Sequence, residues 1–277
     1  MLKRIESFKF INLIRTVKRS NIMVIIPKSF YATAAVTVLF FSLPGISYQQ
    51  LPFFADEQGA ECIDYEAVEN TITIDCDRAS FGDVINTIND QSVIEKLEED
   101  GEYLLKANLR VADGVTFEMT SSNGDDGNNL QYLKIAGANG IIVNGRIEIS
   151  GIIITSWDTE TDSPVSQTET GSVPRTFINL RVSEGGFIEN SEVAHIGYDA
   201  PPRRGIDLGE SSEGQSHDFA IRNSTIHDNW MGFYSAGAYN ITIDGNEFFS
   251  NIKYAVDPHT GTHNMTVSDN KVYNNKI

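Results

Sequence analysis

The chain has 277 residues, 21% of them charged, and a formal net charge of −17, a length that holds one large domain with a proper core. The balance is uneven: residues 1–50 carry Lys3, Arg4, Lys9, Arg15, Lys18, Arg19 and Lys28 against Glu6 alone, which leaves 14 basic and 37 acidic residues in the remainder. So acidic a body excludes nucleic acid and anionic membrane surfaces as partners, and a polyanionic substrate would have to be held by locally placed cations or a divalent ion.

At the N-terminus, basic residues followed by the apolar run 30–43 have the form of a secretory n-region and h-region. Gly45 and Ser47 are small residues at the spacing of a cleavage site before Tyr48. The n-region is long, and a start at Met23 would make it ordinary. An uncleaved anchor is the alternative and the one route to a membrane, although about 14 apolar residues fall short of the roughly 20 that span a bilayer. Residues 1–47 are therefore expected to be the signal peptide or anchor of a chain that is secreted or sits in the cell envelope.

Residues 48–101 read as a leader. An isolated Cys62–Cys76 pair in an exported chain predicts one disulfide pinning a hairpin over 63–74, with two free thiols as the alternative. Residues 71–74 alternate Thr and Ile as a strand does. Phe81, Val84, Ile85 and Ile88 then fall at helical spacing, with Ser80 as N-cap and Asp83 three residues on. A second short helix is expected at Val93, Ile94 and Leu97, with Ser92 and Glu95 as capping box and Gly101 as stop. An apolar helical face just before a repeat array is expected to plug its open end.

Over 102–277 strand patterns take over, with apolar positions at Leu104, Leu109, Val111, Val115, Phe117, 130–135, 141–143, Ile147, Ile149 and 152–154. Asp113-Gly114, Asn123-Gly124, Asn139-Gly140 and Asn144-Gly145 mark the turns. Residues 158–176, polar and carrying Pro164 and Pro174, form one long excursion, either a groove wall or a solvated insertion. Thereafter a repeat is explicit: Ile221, Ile226 and Asn229 recur as Ile243, Phe248 and Asn251, and again as Val267, Val272 and Asn275. Ile188, Val193 and Ile196 fit the same frame, and the position three after each start reads Ser191, Ser224, Asn246 and Asn270. Short β-patterned apolar pairs at a period of 22 to 24 residues, with the earlier stretch fitting more loosely, predict an all-β, right-handed parallel β-helix with a small N-terminal helical cap. Asn223, Asn240 and Asn264 fit the glycosylation acceptor pattern, but they sit at solenoid turns where Asn is favoured for itself.

Aligning the coils by their apolar positions stacks residues 204–207, 231–234 and 254–257, so Asp207, Tyr234 and Asp257 are expected in one column on one face, with His259 pointing the same way. Tyr254 and Arg204 are placed at the groove margin. Arg222 and Lys253 are the other nearby cations, and His263 is a groove residue. His217 and His227 lack metal-ligand spacing. No cofactor is expected; acidic loops offer the oxygen ligands that suit Ca²⁺, but no ordered ligand motif appears. A phenol, a carboxylate, an imidazole and a guanidinium on one concave sheet face suit an anionic polysaccharide and proton abstraction beside its carboxylate. His259 would be the base, Tyr254 would return a proton to the opposite face, and Asp257 would orient the imidazole. Expulsion of the group at C4 instead would make the same residues a lyase. A lone Asp-Pro-His read by itself is a turn.

The stretch Tyr254-Ala255-Val256-Asp257-Pro258-His259 resembles the Tyr-Gly-(Ile or Phe)-Asp-Pro-His motif of the mannuronan C5-epimerases. These are right-handed parallel β-helix enzymes that convert β-D-mannuronate to α-L-guluronate within a polymer. Residues 231–235 and 191–198 are also similar to that family, and weaker likeness reaches back to about residue 103. The resemblance implies His259 and Tyr254 as the acid/base pair with Asp257 as partner; the reading of the residues themselves puts Arg204, Asp207, Tyr234, Arg222 and His263 at the substrate. Ala255 replaces the usual Gly. In one branch of the family Asp-Arg follows the His, where this chain has Thr260-Gly261. The family continues for several more coils, which supply a basic residue for the substrate carboxylate; this chain stops at Ile277 partway through a coil, so a truncated or incomplete enzyme is expected. A glycan-binding envelope β-helix without catalysis is the reading from a different class.

Overall fold

The computed structural model describes residues 62–121, 129–211 and 214–276; the expected signal or anchor segment at 1–47 lies outside them. Three sheets form as the chain winds, because each coil gives one short strand to each sheet. The first sheet stacks Thr71–Ile74, Asn108–Val111, Gly140–Val143, Phe177–Leu180, Gly205–Leu208, Met231–Ser235 and Val256–Pro258, all parallel. The second runs from Arg78–Ser80 to His263–Ser268, and the third from Glu102–Leu105 to Lys271–Tyr273. Within each stack the strands are parallel, so these ladders join one coil to the next; antiparallel pairings occur only as local hairpins, such as Ile63–Glu66 with Thr71–Ile74 and Ile94–Lys96 with Glu102–Leu105.

The apolar repeat sets the register. Ile188, Ile221, Ile243 and Val267 are successive partners in the second sheet, and Val193, Ile226, Phe248 and Val272 in the third. These side chains point inward and, except in the last coil, are fully buried in one continuous core. At each corner between the second and third sheets a residue with positive φ turns the chain: Asn190 (51°), Asn223 (48°), Gly245 (67°) and Asp269 (53°). The residue after each turns inward, and there the side chain does the work of backbone. Ser191 N–H donates to Ser224 Oγ, Ser224 N–H to Asn246 Oδ1, and Asn246 N–H to Asn270 Oδ1. A second ladder runs along the corner after the third sheet, where Ile196 N–H donates to Asn229, Asn229 to Asn251, and Asn251 to Asn275. Asn is needed because its amide both accepts from the coil before and donates back to it, as Asn246 Nδ2 does to Ile221 O and Asn251 Nδ2 to Ile226 O. Asn240 and Asn264 likewise adopt positive φ, 55° and 51°, the conformation that favours Asn at turns.

At the N-terminal end, Ile63–Glu66 pairs antiparallel with Thr71–Ile74, and Cys62 is bridged to Cys76 beside that hairpin. Replacing both cysteines by serine is expected to cost about 3 kcal/mol, the loop entropy of a closure this short, read as a lower urea midpoint that reductant reproduces in the wild type. The helix Phe81–Ile88 carries the expected Ser80/Asp83 capping box. It buries Phe81 and Val84 in the core and sets Phe81 edge-on to Tyr103 at 5.8 Å, closing that end.

The second helix does not form. Ile94–Lys96 is a strand paired antiparallel with Glu102–Leu105, and Ser92 bonds Asp90 rather than capping. Five residues cannot repay helix nucleation, while Ile94 gains an edge partner in Leu105.

Candidate active site

On the outer face of the first sheet, Asp207, Tyr234 and Asp257 are successive register partners. Each alternates with core residues: Ile206 and Leu208 flank Asp207, and Phe233 flanks Tyr234, all of these apolar neighbours being buried. Register slips once, between Gly205 and Ile206, which takes up the extra residue Gly232 and restores the column. The strand end then brings His259 round. Its N–H donates to Ser235 O at 2.7 Å and its ring lies 5.8 Å from that of Tyr234. Arg204 caps the other face of the column, with its guanidinium carbon 4.3 Å from the centre of the Tyr234 ring.

Tyr254 is half-buried against Trp230, Met231 and Tyr234. Trp230 is 1% exposed, Gly171 of the 158–176 excursion packs on its ring with no room for a Cβ, and Lys253 Nζ sits 5.0 Å from the ring centre. The excursion therefore abuts the tyrosine cluster instead of standing free in solvent. Arg175 fastens it. That side chain is fully buried and donates to Ile196 O (2.8 Å), Gly197 O (3.0 Å), Asp228 O (3.0 Å) and Val165 O (3.2 Å). Burial pushes its guanidinium down to about 9, which leaves it charged at neutral pH.

Three expected placements differ. His259 Nδ1 meets Thr260 Oγ1 at 3.2 Å, so the hydroxyl next in sequence, and not Asp257, touches the imidazole. Arg222 lies on the second sheet and is ion-paired to Glu189 at 2.6 Å, because the coil turns a corner between it and the column. His263 opens the following second-sheet strand and stacks on Tyr239 at 5.3 Å. Neither joins the cluster around His259. His227 is held between Glu192 (3.2 Å) and Asp228 (2.7 Å) on the third sheet. Among the described residues no group of three or more His, Cys, Asp or Glu is placed to hold a metal ion.

Asp207 is only 2% exposed, and its Oδ2 makes no hydrogen bond. Arg181 Nη1 approaches the carboxylate at 3.7 Å and Arg204 Nη1 at 3.8 Å. Arg181 was not legible as a site residue, although it sits just past the strand whose Asn179 pairs with Asp207. Burial raises the Asp207 carboxyl above its ordinary value, opposed by Arg181 and Arg204. A raised folded pKa means that the folded state binds the proton more tightly than the unfolded one. The stability this group contributes is therefore present at low pH and lost as pH rises through the folded value. Asp207→Asn should abolish that decline, so variant and wild-type urea midpoints should diverge as pH rises from about 4.

Residues 90–277 match the family model described as "Right handed beta helix region". The chain belongs to the right-handed β-helix family. Within it, the chain is 25% identical to the mannuronan C5-epimerase of Pseudomonas aeruginosa over 194 residues, which is 66% of this chain and 34% of that protein. It is 24% identical to mannuronan C5-epimerase AlgG of Azotobacter vinelandii over 189 residues, 64% of this chain and 34% of that protein. The chain thus spans about a third of the length of these relatives. A crystal structure of the periplasmic alginate epimerase AlgG superposes with a TM-score of 0.65 at 19% identity, over 72% of this chain and 47% of that one. The β-helix expected from the repeat is thereby the observed fold, and the similarity to mannuronan C5-epimerases recurs in sequence comparison.

Proposed function

We propose that this β-helix acts on a polyuronate as a C5-epimerase, exported to the periplasm or cell envelope. One observation carries the reading: Asp207, Tyr234 and Asp257 share a single outward column, and His259 packs on Tyr234 at its end. Its relatives named as mannuronan C5-epimerases support the same chemistry, and the apolar run at 30–43 and the periplasmic structural neighbour support export. His259 Nε2, the nitrogen not in contact with Thr260, is the base. It takes the C5 proton of a bound uronate, and the electron pair spreads into the carboxylate. The second negative charge has to be offset by a cation beside that carboxylate. Tyr254 gives its phenolic proton to C5 from the other face, which inverts the centre, and the His259 proton returns the phenol to its starting state through solvent.

The test is incubation with polymannuronate in deuterated water, followed by NMR at C5. Deuterium at C5 with new guluronate signals is the expected result. An unsaturated sugar would make the protein a lyase, and an unchanged polymer that still binds would make it a glycan-binding protein.

A further inference from the structure

The arginine pair around Asp207 is built differently from an ordinary ion pair. The carboxylate is covered, whereas the side chains of Arg181 and Arg204 are 21% and 20% exposed. At 3.7 and 3.8 Å neither guanidinium sits at ordinary hydrogen-bonding distance from the carboxylate, so the carboxylate holds both chiefly by charge, while Arg181 Nη1 reaches the Asp207 backbone O at 3.5 Å. Arg181 Nη1 also donates to Leu180 O at 2.8 Å, which fixes the tip of that side chain, and Arg204 is steadied over the Tyr234 ring. Two cations share one buried anion, and what reaches solvent is the cationic side. Glu210, which also acts on Arg181, is exposed and screened by water.

From these positions we infer that Arg181 and Arg204 form a carboxylate subsite for a second uronate of the same polymer, with Asp207 as their buried counterion and not as a substrate contact. Asp207 lies two rungs from Asp257, or about 10 Å at the spacing of parallel strands. One rung is close to the length of one pyranose, so the subsite takes a carboxylate about two sugars from the ring that meets His259. In a polymer whose successive rings alternate in orientation, carboxylates two residues apart face the same wall. A planar two-armed guanidinium suits that carboxylate better than an ammonium would. The inference rests on the polyuronate reading for its ligand, but it does not need the chemistry at C5.

Calorimetric titration with a defined oligomannuronate of at least four residues, and with its neutral methyl ester, tests it on the full chain. The acid form should bind and the ester should not. Arg181→Met should weaken binding about ten- to hundredfold, the range of a charged hydrogen-bonded contact, and Arg181→Lys should fall between. Asp207→Asn should strengthen binding, because both guanidiniums lose their internal partner; a purely structural role for Asp207 would weaken it. Thermal midpoints of each variant report on folding. Unchanged affinity in folded Arg181→Met, or weakening in Asp207→Asn to match Arg181→Met, overturns the subsite while leaving the polyuronate reading standing. No binding of the acid oligomer by the wild type overturns both. The expected pattern without deuterium exchange at C5 keeps the subsite and removes the epimerase.

Discussion

His259→Ala is expected to lower deuterium wash-in at C5 of polymannuronate by about 10²–10⁴-fold, the usual worth of a positioned general base. The side chain is exposed, with a hydrogen bond to Thr260 and a ring contact with Tyr234, so unfolding free energy should move by less than about 0.5 kcal/mol. Loss of exchange in a folded protein would therefore locate the chemistry and not the fold. Tyr254→Phe separates the two faces of the reaction. With His259 intact, a proton can leave and return on the same side, so deuterium should still enter the polymer while guluronate signals vanish. Loss of both would instead make Tyr254 necessary for the abstraction. Full retention of guluronate formation would remove Tyr254 from the acid role.

Arg175→Met is expected to cost about 3–5 kcal/mol, although it nearly preserves volume, because four backbone carbonyls lose a charged donor at once. Ile196 O and Gly197 O each keep a second donor, from the Trp230 backbone and the Gln167 side chain. Asp228 O and Val165 O lose the Arg175 donor without that reserve. Arg175→Lys should recover little, since one ammonium cannot meet carbonyls spread around a planar fork. Urea unfolding reads the cost. Limited proteolysis should show cleavage concentrated in 158–174, the segment that Arg175 holds down. A loss under 1 kcal/mol would mean that Gln167 and the Gly171–Trp230 contact suffice to hold it.

The parts of this molecule that repeat were legible, and the parts made once were not. Ile221, Ile243 and Val267 stack as their spacing predicts because parallel pairing leaves no choice of register once the inward positions are fixed. The same alignment carried Asp207, Tyr234 and Asp257 into one column. Arg175 and Arg181 escaped notice because their partners are carbonyls and a carboxylate set by loop paths that no periodicity encodes. Arg222 was misassigned for a related reason: proximity in the aligned coils ignores the corner that sends it to another sheet. At 93–97, three apolar residues in five fit a helix or a hairpin edge equally, and the neighbouring strand decided.

The asparagine ladders give the solenoid a direction. Each rung's amide is satisfied by a side chain from the coil that follows it, so a coil is complete only after the next is laid down. Assembly then runs like winding thread onto a spool from the capped end, in step with a chain delivered N-terminus first. Under tension the order reverses. Pulled at the C-terminal end, the spool should unwind a turn at a time, the last two rungs freeing 24 and then 22 residues, or about 70–85 Å of extended chain each, and the rung before them 33. A force–extension trace whose tooth spacing follows those coil lengths would be the mechanical signature of those two rows of amides.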